Sequence, residues 1–227
     1  MDKLEPIGIL NGSPSTILSL SEISDGQDDF LISTSHNGEV GVWDVSENEL
    51  QQMDKTGQKF ESPLMIIGTH ELPATGSASA GNSQFLTCGW DETVKLWDIE
   101  CAKLVNLMKG DTPYMCIDYS SINRLCAVGT KQKSVQFMDP QSNDLTISNM
   151  ISDCHTSCVA CVKWCPGDLN YLMTAGWDGL AYIWDHRKLS QPSSTIHKSK
   201  ERIMSSCWKD NLILIGTDKG NVYSYTR

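Results

Sequence analysis

The chain has 227 residues and a formal net charge of −10, enough length for one sizeable core or two small domains. That charge disfavours a sequence-blind grip on nucleic-acid backbones, and no apolar run reaches the roughly 18–20 residues that span a bilayer. The opening residues, MDKLEPIGIL, carry no long apolar stretch, so the nine scattered cysteines are expected to be reduced thiols in an intracellular protein.

In chain order the same series of short elements returns. A leading strand at Ile7–Leu10 and an inner strand at Thr16–Leu20 precede a strand at Phe30–Ser33. The turn His36-Asn37-Gly38 follows, and an alternating strand ends at Trp43-Asp44. A polar stretch, Ser46–Ser62, interrupts; it lacks periodicity and reads as a long loop. The series resumes with Leu64–Ile67, a less distinct Ser/Gly/Ala-rich inner strand at Ala74–Ala80, then Phe85–Cys88, Asp91-Glu92 and Trp97-Asp98. Next come Leu104–Met108, Met115–Tyr119, Leu125–Val128, Lys131-Gln132 and Met138-Asp139. Leu145–Ile151, Val159–Trp164, Tyr171–Thr174, Asp178-Gly179 and Trp184-Asp185 form a fourth series. Ile203–Trp208, Leu212–Ile215, Asp218-Lys219-Gly220 and Tyr225-Thr226 form a fifth.

The tryptophan position thus falls at Trp43, Trp97, Met138, Trp184 and Tyr225, in steps of 54, 41, 46 and 41 residues. Polar turns between alternating strands read as hairpins. A self-repeat of about 40–45 residues carrying Trp-Asp predicts an all-β fold, a β-propeller with one four-stranded blade per repeat. The repeats cover about 6–45, 64–99, 103–140, 145–186 and 192–227, in one domain, with residues 46–62 inserted. Five blades fall short of the usual seven, and the expectation is that two N-terminal blades are absent from this chain. Pairing of Ile7–Leu10 with the last blade would remove an exposed sheet edge.

Several groupings resemble chemical sites. Cys154, Cys158, Cys161 and Cys165 lie beside His155, a set with the ligand types of tetrahedral zinc. An inner strand at Val159–Trp164 would instead turn Cys158 and Cys161 to opposite faces, so no metal site is expected. His70, His155 and His197 each precede an inner strand, where a structural role in satisfying buried polar groups is expected. Trp90 and Trp177 precede the aspartate of the hairpin turn and are the candidate partner-binding aromatics. The basic stretch Lys188, Lys198, Lys200, Arg202 and Lys209 is the one route to RNA, and it reads as a solvated loop. No phosphate-cradling glycine loop, nucleophile elbow or metalloprotease motif occurs. No catalytic residue, cofactor, small-molecule substrate or membrane contact is therefore expected.

The repeats from about Ile7 to Tyr225 resemble those of WD-repeat proteins. In that family the histidine joins a hydrogen-bond chain with a threonine, the turn aspartate and the repeat tryptophan. The matching sets are His70, Thr87, Asp91 and Trp97, and His155, Thr174, Asp178 and Trp184. The segments Gly110–Thr130 and His155–Arg187, and the ending DKGNVYSYTR, are similar to the C-terminal blades of the WD-repeat subunit of the pescadillo–block-of-proliferation complex. The resemblance implies a non-catalytic scaffold in large (60S) ribosomal subunit biogenesis and rRNA maturation, located in the nucleolus and nucleoplasm. Its implied partners are a block-of-proliferation-type propeller, a pescadillo-type protein and the pre-60S particle. The family's ubiquitin-like domain, which recruits a midasin-type ATPase, has no counterpart here. A second reading uses Asp178, Trp184, Asp185 and Arg187 as the WDxR box of a cullin-type ubiquitin-ligase receptor. A third is another WD-repeat scaffold, in mRNA processing or a checkpoint.

Overall fold

The computed structural model describes residues 14–24, 29–46, 63–142, 147–168 and 170–226. These form 19 strands in five antiparallel sheets. The first blade comprises β1 (Ile17–Ser24), β2 (Asp29–Ser35), β3 (Glu39–Asp44) and β4 (Met65–Thr69). The second comprises β5 (Ala74–Gly81), β6 (Gln84–Gly89), β7 (Thr93–Asp98) and β8 (Lys103–Lys109). The third holds β9 (Tyr114–Ser120), β10 (Leu125–Thr130), β11 (Val135–Met138) and β12 (Asn149–Ile151). The fourth holds β13 (Val159–Trp164), β14 (Tyr171–Gly176), β15 (Leu180–Asp185) and β16 (Ser194–Lys198). The fifth holds β17 (Ile203–Lys209), β18 (Leu212–Thr217) and β19 (Val222–Thr226).

Within each blade the strands pair in chain order, from the innermost outward. The sheets are therefore cut one strand later than the sequence repeats. The strand at Met65–Thr69, which leads the second repeat, is the outer strand of the first blade. The outer strand Ser194–Lys198 was not among the sequence expectations. Its STIHK composition lacks the apolar run that marks its counterparts, and only tertiary packing reveals it. The expected strand at Ile7–Leu10, and the insertion beyond Ser46, lie outside the described residues.

The hairpins superimpose in register. The tryptophan position faces the second residue of the preceding strand in four blades and the third in the first: Leu31–Trp43, Phe85–Trp97, Cys126–Met138, Leu172–Trp184 and Ile213–Tyr225. Side chains alternate between the two sheet faces, so one register fixes which residues meet each neighbouring blade. Four clusters fill the joints. Ile32, Val40 and Val42 meet Phe85 and Trp97. Leu86, Val94 and Met108 meet Ile117 and Val128. Phe137 and Ile151 meet Trp164 and Trp184. Met173 and Ile183 meet Ile203, Trp208 and Ile213. Among the described residues no cluster joins the fifth blade to the first. Leu212 and Val222 lie on the far face of the fifth blade, and Val222 is 72% exposed.

Each hairpin turn ends in a residue of positive φ: Gly38, Glu92, Lys133, Gly179 and Gly220. This is the type of three-residue loop that needs a left-handed last position. Glu92 and Lys133 accept the left-handed strain in two blades; glycine avoids it in three. At Gly179 there is a second demand, because a Cβ would run into the backbone carbonyls of Ser199 and Glu201. Gly179→Ala should therefore lower unfolding free energy by about 2–4 kcal/mol, combining left-handed strain and overpacking. Urea unfolding of parent and variant measures this, and an unchanged midpoint would refute the close approach.

Candidate functional site

The polar residues singled out from sequence come together in two blades. In the second, His70 Nδ1 lies 2.9 Å from Asp91 Oδ1, and His70 Nε2 lies 2.8 Å from Thr87 Oγ1. Trp97 Nε1–H donates to the same Thr87 oxygen at 2.8 Å. The fourth blade repeats this with His155–Asp178 at 3.0 Å, His155–Thr174 at 2.9 Å and Trp184–Thr174 at 2.9 Å. The proton directions are mutually consistent in one arrangement. Nδ1–H donates to the carboxylate, Nε2 accepts from the threonine hydroxyl, and that oxygen accepts from the indole. His70, His155, Thr87 and Thr174 are buried, so each polar atom has a partner within its own blade. The chain links the hairpin turn, the strand before it and the outer loop.

Burial alone would raise the Asp91 carboxyl. The His70 hydrogen bond and charge, with bonds from Thr93 and the Glu71 N–H, outweigh it and hold the group at about 2. The Asp178 carboxyl is lowered likewise: burial opposes, while His155, the Thr156 N–H and the Leu180 N–H prevail. Both carboxylates point inward to the fold. Asp91 Oδ2 accepts from Glu71 N at 3.1 Å and Asp178 Oδ2 from Thr156 N at 2.8 Å, so each also clamps the loop before its own blade's inner strand.

The other blades solve the same problem with other residues. In the first, Trp43 Nε1–H donates to Ser33 Oγ at 2.9 Å. In the third, Gly110 stands at the histidine position; a Cβ there would overlap the Tyr114 hydroxyl. Tyr114 Oη donates to Gln136 Oε1 at 2.8 Å, and Gln136 Nε2 donates to Asp111 at 3.2 Å. His197 does not sit in the loop before an inner strand. It belongs to β16, and Ser199 holds the position of His70 and His155, as the shared backbone bond to the hairpin turn shows. The misplacement follows from reading a lone histidine without knowing that β16 runs to Lys198. His197 Nδ1 instead meets Tyr225 Oη at 2.6 Å across the joint between the last two blades.

The aspartate of Trp-Asp has a separate role that the sequence did not disclose. Asp44, Asp98, Asp139 and Asp185 accept backbone N–H bonds from Ser46, Cys101, Gln141 and Arg187. Each turns the chain toward its outer strand. Arg187 is 60% exposed in its side chain, and its fork is closed on Asp185, Nε at 2.9 Å and Nη2 at 2.7 Å. That bidentate pair, with the Arg187 N–H, holds the Asp185 carboxyl at about 2.

The cysteines near His155 are dispersed. Cys154 packs between the third and fourth blades, and Cys161 between the fourth and fifth. Burial pushes the Cys154 thiol up to about 12, as it does Cys88 and Cys126. Among the described residues no three His, Cys, Asp or Glu side chains converge as metal ligands. The basic residues are exposed, but they do not form a loop: Lys198 ends β16 and Lys209 ends β17.

All five innermost strands line one central cavity of about 970 Å³, and His36, Trp90 and Trp177 stand at its rim. Trp90 and Trp177 are half-buried. His36 meets Trp90 edge-on at 6.5 Å. Lys131 Nζ lies 5.6 Å from the Trp90 ring centre and the Arg202 guanidinium 5.7 Å from that of Trp177.

With the blades and their hydrogen-bond chains in place, the family comparison is decisive. The profile of the WD domain, G-beta repeat, matches residues 4–44, 61–98 and 148–185, more than half of the chain. The chain belongs to the WD-repeat family. The degenerate third and fifth WD repeats, with Met138 and Tyr225 at the tryptophan position, fall outside those matches. Among its relatives is a "Ribosome biogenesis protein WDR12 homolog" of Ixodes scapularis, 24% identical, with 77% of this chain and 41% of the relative covered. The namesake of Nematostella vectensis is 26% identical over 69% of this chain and 38% of its own length. "Ribosome biogenesis protein YTM1" of Coccidioides immitis is 23% identical, covering 83% and 50%. The chain thus spans about one third to one half of the curated relatives it matches.

Two expected outcomes test the polar chain of this WD-repeat chain. Asp178→Ala leaves His155 and two backbone N–H groups without their acceptor, and should cost about 2–4 kcal/mol of stability in urea unfolding. The second is a pH profile. Burial lowers the His197 pKa below its ordinary 6.5, against the opposing charge of Glu201. The unfolded chain then binds the proton more readily, so His197's contribution is full above about 6.5 and lost as pH falls toward its folded value. Asp91 has the same sign at lower pH: its contribution is full above 3.8 and lost as pH falls toward about 2. The urea midpoint should decline in two steps on acidification, and His197→Gln should remove the first.

Proposed function

We propose that this chain is a non-catalytic protein-binding scaffold of ribosome biogenesis, acting on the large (60S) subunit and rRNA maturation. The observation that carries the reading is the run of related proteins named for ribosome biogenesis, which align across most of this chain. The geometry supports the scaffold part. The histidine, threonine and aspartate groups that could serve catalysis are occupied by bonds within their own blades. What remains exposed is loop surface around a rigid frame, the usual means by which such folds choose partners. The proposed partners are a block-of-proliferation-type propeller protein and, with it, a pescadillo-type protein in a pre-60S particle, and the proposed place is the nucleolus.

The experiment is affinity purification of the tagged chain from cells at low salt, with protein identification and sucrose-gradient sedimentation. Large-subunit precursors and their assembly factors should co-purify and co-sediment with it. Recovery of a cullin adaptor in place of pre-60S factors would replace this reading with the ligase one.

A further inference from the structure

We propose that a groove beside the joint of the fourth and fifth blades binds one large apolar side chain of an extended protein segment, a proposal that rests on the protein-binding reading above. The groove has a volume of about 320 Å³, within the size range of ligand sites. It is separate from the central cavity, because no residue of an inner strand lines it. Ile183 and Ile213 are buried beneath it, Tyr171 and Tyr225 line it, and Ser193 and Ser194 are exposed at its edge.

The other joints show what belongs in such a place. Strand register equates Ile183 opposite Ser194 with Val42 opposite Met65 in the first blade. It likewise equates Ile213 opposite Tyr225 with Phe85 opposite Trp97 in the second. The last joint therefore carries three smaller residues than the first: serine for Met65, isoleucine for Phe85 and tyrosine for Trp97. In the first joint those three pack in one cluster, and Ile99, from the turn after Trp97-Asp98, joins them. In the joint of the third and fourth blades, Leu189, from the loop after Trp184-Asp185, packs against the cluster of Phe137 and Leu172. Among the described residues no side chain of the fifth blade takes that place. Nor is the space free to collapse. Trp208 and Ile203 hold the two blades in contact further in, and the Tyr225 hydroxyl is fixed on His197 at 2.6 Å. A packed joint yields little, so the groove stays open beside it.

The occupant follows from these walls. Among the described residues no charged side chain lines the groove, so the group that enters is uncharged. Its size is that of the groups present in the first joint and missing here. Leucine, methionine or phenylalanine fills it, and alanine leaves a void. The exposed hydroxyls of Ser193, Ser194 and Thr226 at the edge suit the backbone amides of an extended segment. A second copy of this chain is disfavoured by the mutual repulsion of two net charges of −10, and it is the competing outcome.

The test is a methyl NMR titration of the full chain labelled at isoleucine. The probes are blocked serine–glycine heptapeptides with leucine, methionine, phenylalanine, alanine or aspartate at the centre. At least one of the first three should shift the methyl signals of Ile183, Ile196 and Ile213 and leave those of Ile32 and Ile117, in other joints, in place. It should bind about tenfold or more tightly than the alanine and aspartate peptides, with little dependence on salt. Ser194→Met, which restores the side chain of the first joint, should weaken that binding by about tenfold or more. Thermal melting checks the variant's fold, and Ser193→Met is read in its place if it melts early. No shift at the three methyls, equal binding of the alanine peptide, or undiminished binding by the variant would overturn the proposal. So would the same shifts appearing without peptide as the chain is concentrated, which would mark a second copy as the occupant. If the groove fails while pre-60S factors still co-purify, this proposal falls and the scaffold reading stands. Peptide binding without those factors gives the reverse.

Discussion

No blade of this molecule can bury its own apolar faces. A sheet of three or four short strands has two of them, and alternation along the strand populates both. Stability then depends on each blade being placed between two others, at a register that brings Trp97 against Val42, or Trp184 against Phe137, in one joint. Everything polar in the blades answers to that packing. The repeat tryptophan brings an N–H into the joint, so Thr87, Thr174 or Ser33 must wait beneath it. The threonine in turn needs the histidine, and the histidine the aspartate. A hydrogen-bond chain that resembles a catalytic relay is here the consequence of burying an indole.

The same dependence explains where the blades are permitted to differ. Where Met138 replaces tryptophan there is no indole N–H to satisfy, and the histidine and turn aspartate are gone as well. Gly110 makes space, and Tyr114, Gln136 and Asp111 carry an independent chain. In the last blade Tyr225 turns its hydroxyl to His197 in the neighbouring sheet rather than to a residue of its own. Bulk in the joint is the invariant requirement, and the polar partners follow from the donor that the bulk carries. The far face of the fifth blade shows the requirement unmet: Val222 and Leu212 are exposed there, and the described part of that sheet has three strands.

Architecture was legible in the sequence because the hairpin is a local object. Turn residues, alternation and Trp-Asp lie within about twenty residues of one another, and every inner and middle strand was placed to within a few residues of its position. The outer strands were harder to read because they are half-solvated and tolerate polar residues. STIHK in β16 carries no periodic signal, and its omission displaced His197 into a loop. The two histidine chains were visible through resemblance, since their members are 17 to 23 residues apart. Substitutes such as Tyr114–Gln136 were not, because nothing in their spacing repeats. Trp90 and Trp177 were noted from sequence, but the cations over them were not. Lys131 and Arg202 belong to the next blade in each case, and only the curvature of the arc brings them there.

That last point bears on how a surface can acquire specificity on so uniform a frame. The position after the second strand is placed by a backbone bond that every blade makes, so its side chain is free of any duty in the core. His36, Trp90, Lys131, Trp177 and Asp218 accordingly differ in size and charge from blade to blade. Variation is concentrated where the frame does not need a particular side chain, and there it is held in fixed relative positions by the frame. The rim holds two ring faces with a cation over each, whose spacing is set by the joints between blades rather than by the loops themselves. Loosening a joint would therefore blur the pattern even if every rim residue remained. In this fold, the pattern of side chains at the mouth and the packing in the core are two consequences of the same register.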